Sequence, residues 1–171
     1  HKRRKEMVSF ENFEDYLKSL KMKICVDHLK QKTLQRITQL INKTNQFNLT
    51  TRRYDEAEIR NLAHQPERFK VLSLRLSDKF DNYGIVGVAI LEKEEEIAKI
   101  DTLLLSCRVL GRNVETAFLS EISRQTRNWN CIKLFGEYIP SAKNSQVADF
   151  FSQHGFIVSN ETDSSVLYLL S

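Results

Sequence analysis

IDTLLLSCRVLGRNVETAFLSEISRQTRNW, running from Ile100 to Trp129, is the stretch on which the fold turns. It opens with an apolar run, Leu103-Leu104-Leu105, that reads as a buried strand. The run breaks at Ser106-Cys107-Arg108, turns at Gly111 and resumes at helical spacing. Val114, Phe118, Ile122, Gln125 and Trp129 then fall on one side, with Glu121, Arg124 and Arg127 mostly elsewhere. A strand that feeds a helix through a tight loop presents unpaired first-turn N–H groups, and the positive end of the helix dipole, to an anion. Arg108 and Arg112 add charge that a solvated connector does not require. Phosphate binding is the first functional expectation, set against a plain crossover loop with surface arginines.

The composition bounds what surrounds this stretch. A chain of 171 residues makes about one domain, which buries roughly 70% of its unfolded surface. Hydrophobic residues at 41% and charged residues at 28% describe an ordinary globular protein, and 5 glycines with 2 prolines exclude low-complexity classes. No apolar run approaches the roughly 20 residues that span a bilayer, so no membrane partner is expected. The basic N-terminus has no apolar segment behind it and does not read as a signal peptide. Cys25, Cys107 and Cys131 form no CxxC pair, and an odd count argues for reduced thiols and a cytoplasmic setting. A net charge of +4, held largely in His1–Lys5 and Arg52-Arg53, is no nucleic-acid footprint. The chain does not open on methionine and reads as a piece of something longer.

Outward from the centre, residues 1–20 place Met7, Phe10, Phe13, Leu17 and Leu20 on one helical stripe behind the basic head. Such a helix either packs on the domain or links it to a preceding one. Lys21–Val26 alternates as a strand, and Gln31–Lys43 is a helix with Leu34, Ile37, Leu40 and Ile41 inward. Thr44–Tyr54 is dense in neutral hydrogen-bonding side chains. That pattern suits either a partly buried polar wall lining a site or a helix C-terminus and its cap. Asp55 starts a second helix, ending near Pro66. Strands follow from Phe69, over Ile85–Leu91, and over Ile97–Ser106, with Glu92–Glu96 as a hairpin tip. After the central helix come a strand at Cys131–Ile139, a short helix bearing Val147, Ala148, Phe150 and Phe151, and strands at Phe156–Val158 and Val166–Leu170. The order is β-α-α-β-β-β-α-β-α-β-β, an α/β domain over 21–171 with a helical lead-in over 1–20.

From about Met22 onward this order resembles the GNAT acyltransferase fold, a mixed, mostly antiparallel sheet flanked by helices. The family's strand-to-helix loop reads Gln/Arg-x-x-Gly-x-Gly/Ala. Here Arg108 and Gly111 match, and Asn113 stands where a second small residue is usual. The resemblance implies that Leu105, Ser106, Cys107, Arg108, Val109, Leu110, Gly111, Arg112 and Asn113 hold the phosphate end of acetyl-CoA or another acyl-CoA. It also implies that pantetheine lies between two splayed central strands, against their exposed backbone. Asn144 and Phe151, from the run Asn144…Ala148…Phe151…Gly155-Phe156, are similar to a second family segment and complete the cofactor site. The tyrosine that often serves there as general acid is Phe151 here. A phenyl ring donates no proton, and a positioned acid is worth about 10²–10⁴ in rate.

A narrower resemblance rests on Lys43–Tyr54, on Ser106–Glu115, and on Gly136–Pro140 with Lys143-Asn144. These strings are similar to the C-terminal half of FkbH-like proteins, in which a HAD-like phosphatase domain (subfamily IIIC) precedes a GNAT-like domain. Such proteins load a glyceryl unit onto an acyl carrier protein in polyketide biosynthesis. The resemblance implies that residues 1–20 lead from a HAD-like domain. It also implies an acyl carrier protein as partner and phosphopantetheine as an alternative thioester carrier.

Three side chains are catalytic candidates. Cys107, beside Arg108 and a helix N-terminus, sits where a reactive thiolate is favoured, although packing at a strand end is the plainer role. Glu115 is first a helix-start carboxylate and second a base. Tyr138 is a proton donor by position. Asn45, Gln46, Asn48, Thr50 and Arg52 are the substrate-facing wall. His28, His64 and His154 lack metal-ligand spacing, so no metal is expected. Two functions follow: an acyltransferase using acyl-CoA or a phosphopantetheine thioester, or a carrier-protein docking module without chemistry.

Overall fold

The computed structural model describes residue 10 and residues 12–171. The lead-in helix α1 (Phe13–Ser19) starts where the Asn12 side chain accepts from the Asp15 amide. Its Tyr16 and Leu17, with Leu20 beyond it, are buried with Met22 and Phe80 packed against them. The described part of the lead-in therefore packs on the domain, while Met7 of the expected stripe lies outside the described residues.

Seven strands form one sheet: β1 (Lys23–His28), β2 (Phe69–Ser77), β3 (Asn82–Glu94), β4 (Ile97–Leu105), β5 (Lys133–Tyr138), β6 (Ile157–Glu161) and β7 (Val166–Leu170). Their spatial order is β1-β2-β3-β4-β5-β7-β6. β4 and β5 run parallel and every other neighbouring pair is antiparallel. A parallel pair needs a crossover, and α4 (Val114–Asn128) supplies it.

Two helices cover one face. α2 (Leu34–Lys43) and α3 (Glu56–Ala63) bury Leu34, Ile37, Leu40, Ile41 and Ile59 on Val71, Val88, Ile90 and Leu104. Asp55 and Glu58 form a reciprocal capping box at the start of α3, as the Asp at that position foretells. The other face carries α4 and the short α5 (Phe150–Gln153), with Phe118, Ile122, Phe150 and Phe151 over Leu74, Leu91, Leu103 and Leu105.

The element order matches the sequence-based one, with small differences. The buried stripe of α4 takes in Thr126 rather than Gln125, because the Thr126 hydroxyl satisfies itself on the Ser123 carbonyl. The acidic hairpin tip narrows to Glu95-Glu96, since β3 runs to Glu94 and β4 begins at Ile97.

Candidate functional site

The site is set by an irregularity in β4. Pairing with β3 runs Leu91↔Ile100 and then Ile90↔Thr102, so Asp101 is the extra residue of a β-bulge. Pairing with β5 stops at the same point, its last partners being Ile100 and Gly136. Beyond the bulge β4 and β5 part. The edge that β4 thereby exposes is covered by the chain itself: the Leu49 amide donates to the Leu103 carbonyl, and the Leu105 amide donates to the Phe47 carbonyl. Asn48 bridges antiparallel to Leu104, and the Ile139 amide donates to the Leu49 carbonyl. Phe47–Leu49 is thus a short inserted strand between the two parted ones.

Polar side chains fasten this insert on both sides. Asn144, fully buried, donates from Nδ2 to the carbonyls of Asn48 and Ile139, each at 2.9 Å. Its Oδ1 accepts from the Ser141 amide at 2.8 Å and from the Tyr138 hydroxyl at 3.4 Å. Thr50 and Arg52 donate to the carbonyl of the bulged Asp101 at 2.9 and 3.0 Å. Arg52 Nη2 also pairs with Glu137 at 2.8 Å, which Lys99 meets at 2.8 Å. Burial alone would lower the Arg52 guanidinium, but Glu137 and Asp101 outweigh it and its pKa rises. Burial likewise opposes ionisation of Glu137, and Lys99 and Arg52 reverse that, holding it below the usual carboxylate value. Tyr54, half-buried and donating to Asp101 Oδ2 at 2.8 Å, has its phenol pushed well up by burial and by that bond.

The loop after β4 is different in kind. Cys107–Val109 make one 3₁₀ turn, and Gly111 (φ 74°) and Asn113 (φ 61°) are both left-handed. Asparagine tolerates that region better than most residues, which accounts for its standing at the N-cap of α4. Asn113 makes no side-chain cap, and no acceptor among the described residues takes the amides from Gly111 through Thr116. These are bare donors at the positive end of a 15-residue helix. Arg108 is exposed, its one side-chain hydrogen bond among the described residues being a 3.5 Å contact with Ser106 Oγ.

Arg112 corrects the expectation of two free guanidinium groups. Its Nη2 donates to the Arg108 carbonyl and its Nη1 lies 3.8 Å from the buried Asp78 carboxylate, with Tyr83 under the guanidinium. Arg112 offers an amide to a ligand, while its charge is held by Asp78.

No protein-family model matches this chain, and no curated protein matches it in sequence. Solved structures do match in shape. One is the ribosomal-protein-S18-alanine N-acetyltransferase of Escherichia coli, with a TM-score of 0.63 at 15% identity over 86% of this chain and 93% of that one. Another is the PaiA N-acetyltransferase of Thermoplasma acidophilum in complex with coenzyme A, at 0.62 and 14% over 86% and 98%. A third is the GNAT domain of the Streptomyces lividans protein PAT, at 0.66 and 13% over 85% and 88%. The fold is that of the GNAT acetyltransferases.

On the GNAT fold the remaining sequence-derived residues take up distinct positions. Leu105 and Val109 are buried in the core, and Ser106 gives its amide to the Val86 carbonyl. Leu110, Glu115 and Thr116 line a cavity of about 350 Å³ beside the bare amides, closed on its far sides by Phe47, Phe150 and His154. Glu115 Oε2 is buried without a hydrogen-bond partner among the described residues. His154 is held by two contacts, Nδ1 with the Phe150 carbonyl at 2.7 Å and Nε2 with Thr116 Oγ1 at 2.9 Å. A carbonyl only accepts, so Nδ1 carries the hydrogen.

Cys107 is exposed and lines a second cavity, with Asn45, Gln46 and Phe47. Phe47, in edge contact with Phe150 at 5.2 Å, lines both cavities. Phe151 is 1% exposed and lies against β5, where a Cβ on Gly136 would meet its ring at 2.4 Å. Tyr138 is buried and bonded to Asn144, and burial raises its pKa, which weakens it as an acid.

The polar wall needs a correction. Asn48 and Thr50 are buried and bonded to the fold, and Arg52 is committed to Glu137 and Asp101. Of the five, Asn45 and Gln46 line the cavity that Cys107 also lines. What the sequence reading passed over is Phe47 and Leu49, two apolar residues alternating within a polar run. A period of two between Asn and Gln neighbours was the available sign of an inserted strand.

Proposed function

We propose that this domain works in acyl-thioester chemistry, taking acyl-CoA or a carrier-borne phosphopantetheine thioester by its phosphate end. The observation that carries the proposal is the row of uncapped amides from Gly111 to Thr116 beside the free Arg108 guanidinium. Bare helix-start donors and an arginine are what a phosphate or diphosphate requires. Its support from outside is that the similar PaiA structure holds coenzyme A. The wider setting proposed is a carrier-protein loading protein in which a HAD-like domain precedes this one.

In an acyltransferase, Phe47–Leu49 must leave the β4 edge before a pantetheine arm can pair with Leu103 and Leu105. Once vacated, the Leu103 carbonyl and Leu105 amide would hold the arm in extended form. Neither Phe151 nor Tyr138 is poised as acid in the closed arrangement, because Phe151 donates no proton and burial raises the pKa of the Tyr138 hydroxyl. That same inserted strand favours a second reading, docking without transfer, in which the phosphate end is held and the thiol is presented elsewhere.

Calorimetric titration separates these. Coenzyme A and pantetheine 4′-phosphate are expected to bind, and pantetheine lacking the phosphate is expected not to. Equal binding of pantetheine with and without phosphate would refute the phosphate-end reading. Thiol release from acetyl-CoA in the presence of an acyl acceptor supports transfer, and binding with no release supports docking.

A further inference from the structure

On the α2 side of Phe47 lies a cavity of about 610 Å³, bounded by Arg36, Lys43, Asn45, Gln46, Cys107 and Lys143 among others. It holds three cations and no carboxylate, and none of the three forms an ion pair among the described residues. Arg108 is near enough that its charge, after burial, helps to lower the Arg36 pKa. A cluster of like charges left unneutralised raises the energy of the empty domain, and an anion in the cavity relieves it.

The cavity is built as well as charged. Arg36 is half-buried and oriented by Gln39 Oε1 at 2.6 Å. Arg53 donates to Asn45 Oδ1, which makes the Asn45 amide nitrogen the free end of that side chain. The volume falls within the range of sites for small molecules, and a carboxylate would neutralise only one of several cations.

We propose that this cavity binds a phosphate-bearing small molecule through Arg36, Lys43 and Lys143. As a statement about the acceptor for a thioester it rests on the reading above. As a statement about anion binding it stands alone, because protection of Cys107 by glycerol 3-phosphate is measured without coenzyme A. The lining of this site shares only Phe47 with the cavity beside the bare amides of α4.

Cys107 lines the cavity and reports on its occupancy. Alkylation by iodoacetamide, followed at the Cys107 peptide by mass spectrometry to set Cys25 apart, is measured with glycerol 3-phosphate, glycerol, pantetheine 4′-phosphate or an acidic polypeptide present. Glycerol 3-phosphate is expected to slow alkylation and glycerol to leave it unchanged. The double variant Lys43→Gln/Lys143→Gln removes two exposed side chains and is expected to weaken protection at least about tenfold. Coenzyme A binding to the same variant is expected to be unchanged, which keeps this outcome apart from failure of the thioester reading. The proposal is overturned if glycerol 3-phosphate gives no protection, or if protection survives in the double variant. It is also overturned if only pantetheine 4′-phosphate or only the acidic polypeptide protects.

Discussion

Replacing Asn144 by alanine removes a buried side chain that ties the inserted strand to the end of β5. Its Nδ2 bonds to Asn48 and Ile139 and its Oδ1 bond to Ser141 are short, while the Tyr138 contact at 3.4 Å is long enough to discount. Each good hydrogen bond contributes about 1 kcal/mol net, and a buried partner left without one costs about 1–3 kcal/mol. Asn48 and Asn144 are both fully buried, so water does not readily replace the missing donor. The sum is a loss of about 3–5 kcal/mol, or roughly 6–20 °C in Tm for a chain of this size. Urea unfolding followed by circular dichroism measures it. Asn144→Asp keeps the acceptor and loses both donors, and it is expected to fall at least as far because a second oxygen then faces two carbonyls. A loss below about 1 kcal/mol in Asn144→Ala, with an unchanged m-value, would show that the insert does not depend on this residue.

Three further outcomes follow. Glu137 has its pKa lowered in the folded state by Lys99 and Arg52, so it adds stability above its unfolded value that disappears as the pH falls through the folded one. Glu137→Gln should therefore be less stable than the parent at pH 7, and the gap should close on acidification below about pH 4 in a denaturation series. Gly136→Ala should destabilise by about 1–3 kcal/mol, because its Cβ meets the Phe151 ring at 2.4 Å inside a packed core. Thermal unfolding reads this, and an unchanged Tm would mean the ring moves freely. Arg108→Ala should weaken coenzyme A binding by about tenfold with little change in Tm, whereas Arg112→Ala should lower Tm by removing a guanidinium that packs over Tyr83 and lies 3.8 Å from the buried Asp78 carboxylate. Equal effects of the two on binding would restore Arg112 as a ligand.

The fold was legible because its deciding features are local. Leu103–Leu105, Gly111 and the Val114, Phe118, Ile122 stripe lie within one short run, and the strand and helix periods elsewhere are clean. Asn113 at a left-handed N-cap was readable for the same reason. The site was legible only where it is made of backbone. The amides of the loop follow from the strand–loop–helix order, but the partner of the Arg112 guanidinium is Asp78, on another hairpin. Likewise the covering of β4 by Phe47–Leu49 joins segments about fifty residues apart, through a bulge at Asp101 that no period announces. Thr50, Asn48 and Arg52 looked like a wall awaiting a ligand because hydrogen-bonding side chains serve a bulged, parted pair of strands in the same way.

Amide hydrogen exchange at Leu49, Leu105 and Ile139, read residue by residue by NMR, tests the covered edge most directly. The inserted strand predicts protection at all three comparable to core amides of β3 such as Val88. Exchange at these positions as fast as in exposed loops, with Val88 still protected, would mean that the edge of β4 stands open and the account of the insert is wrong.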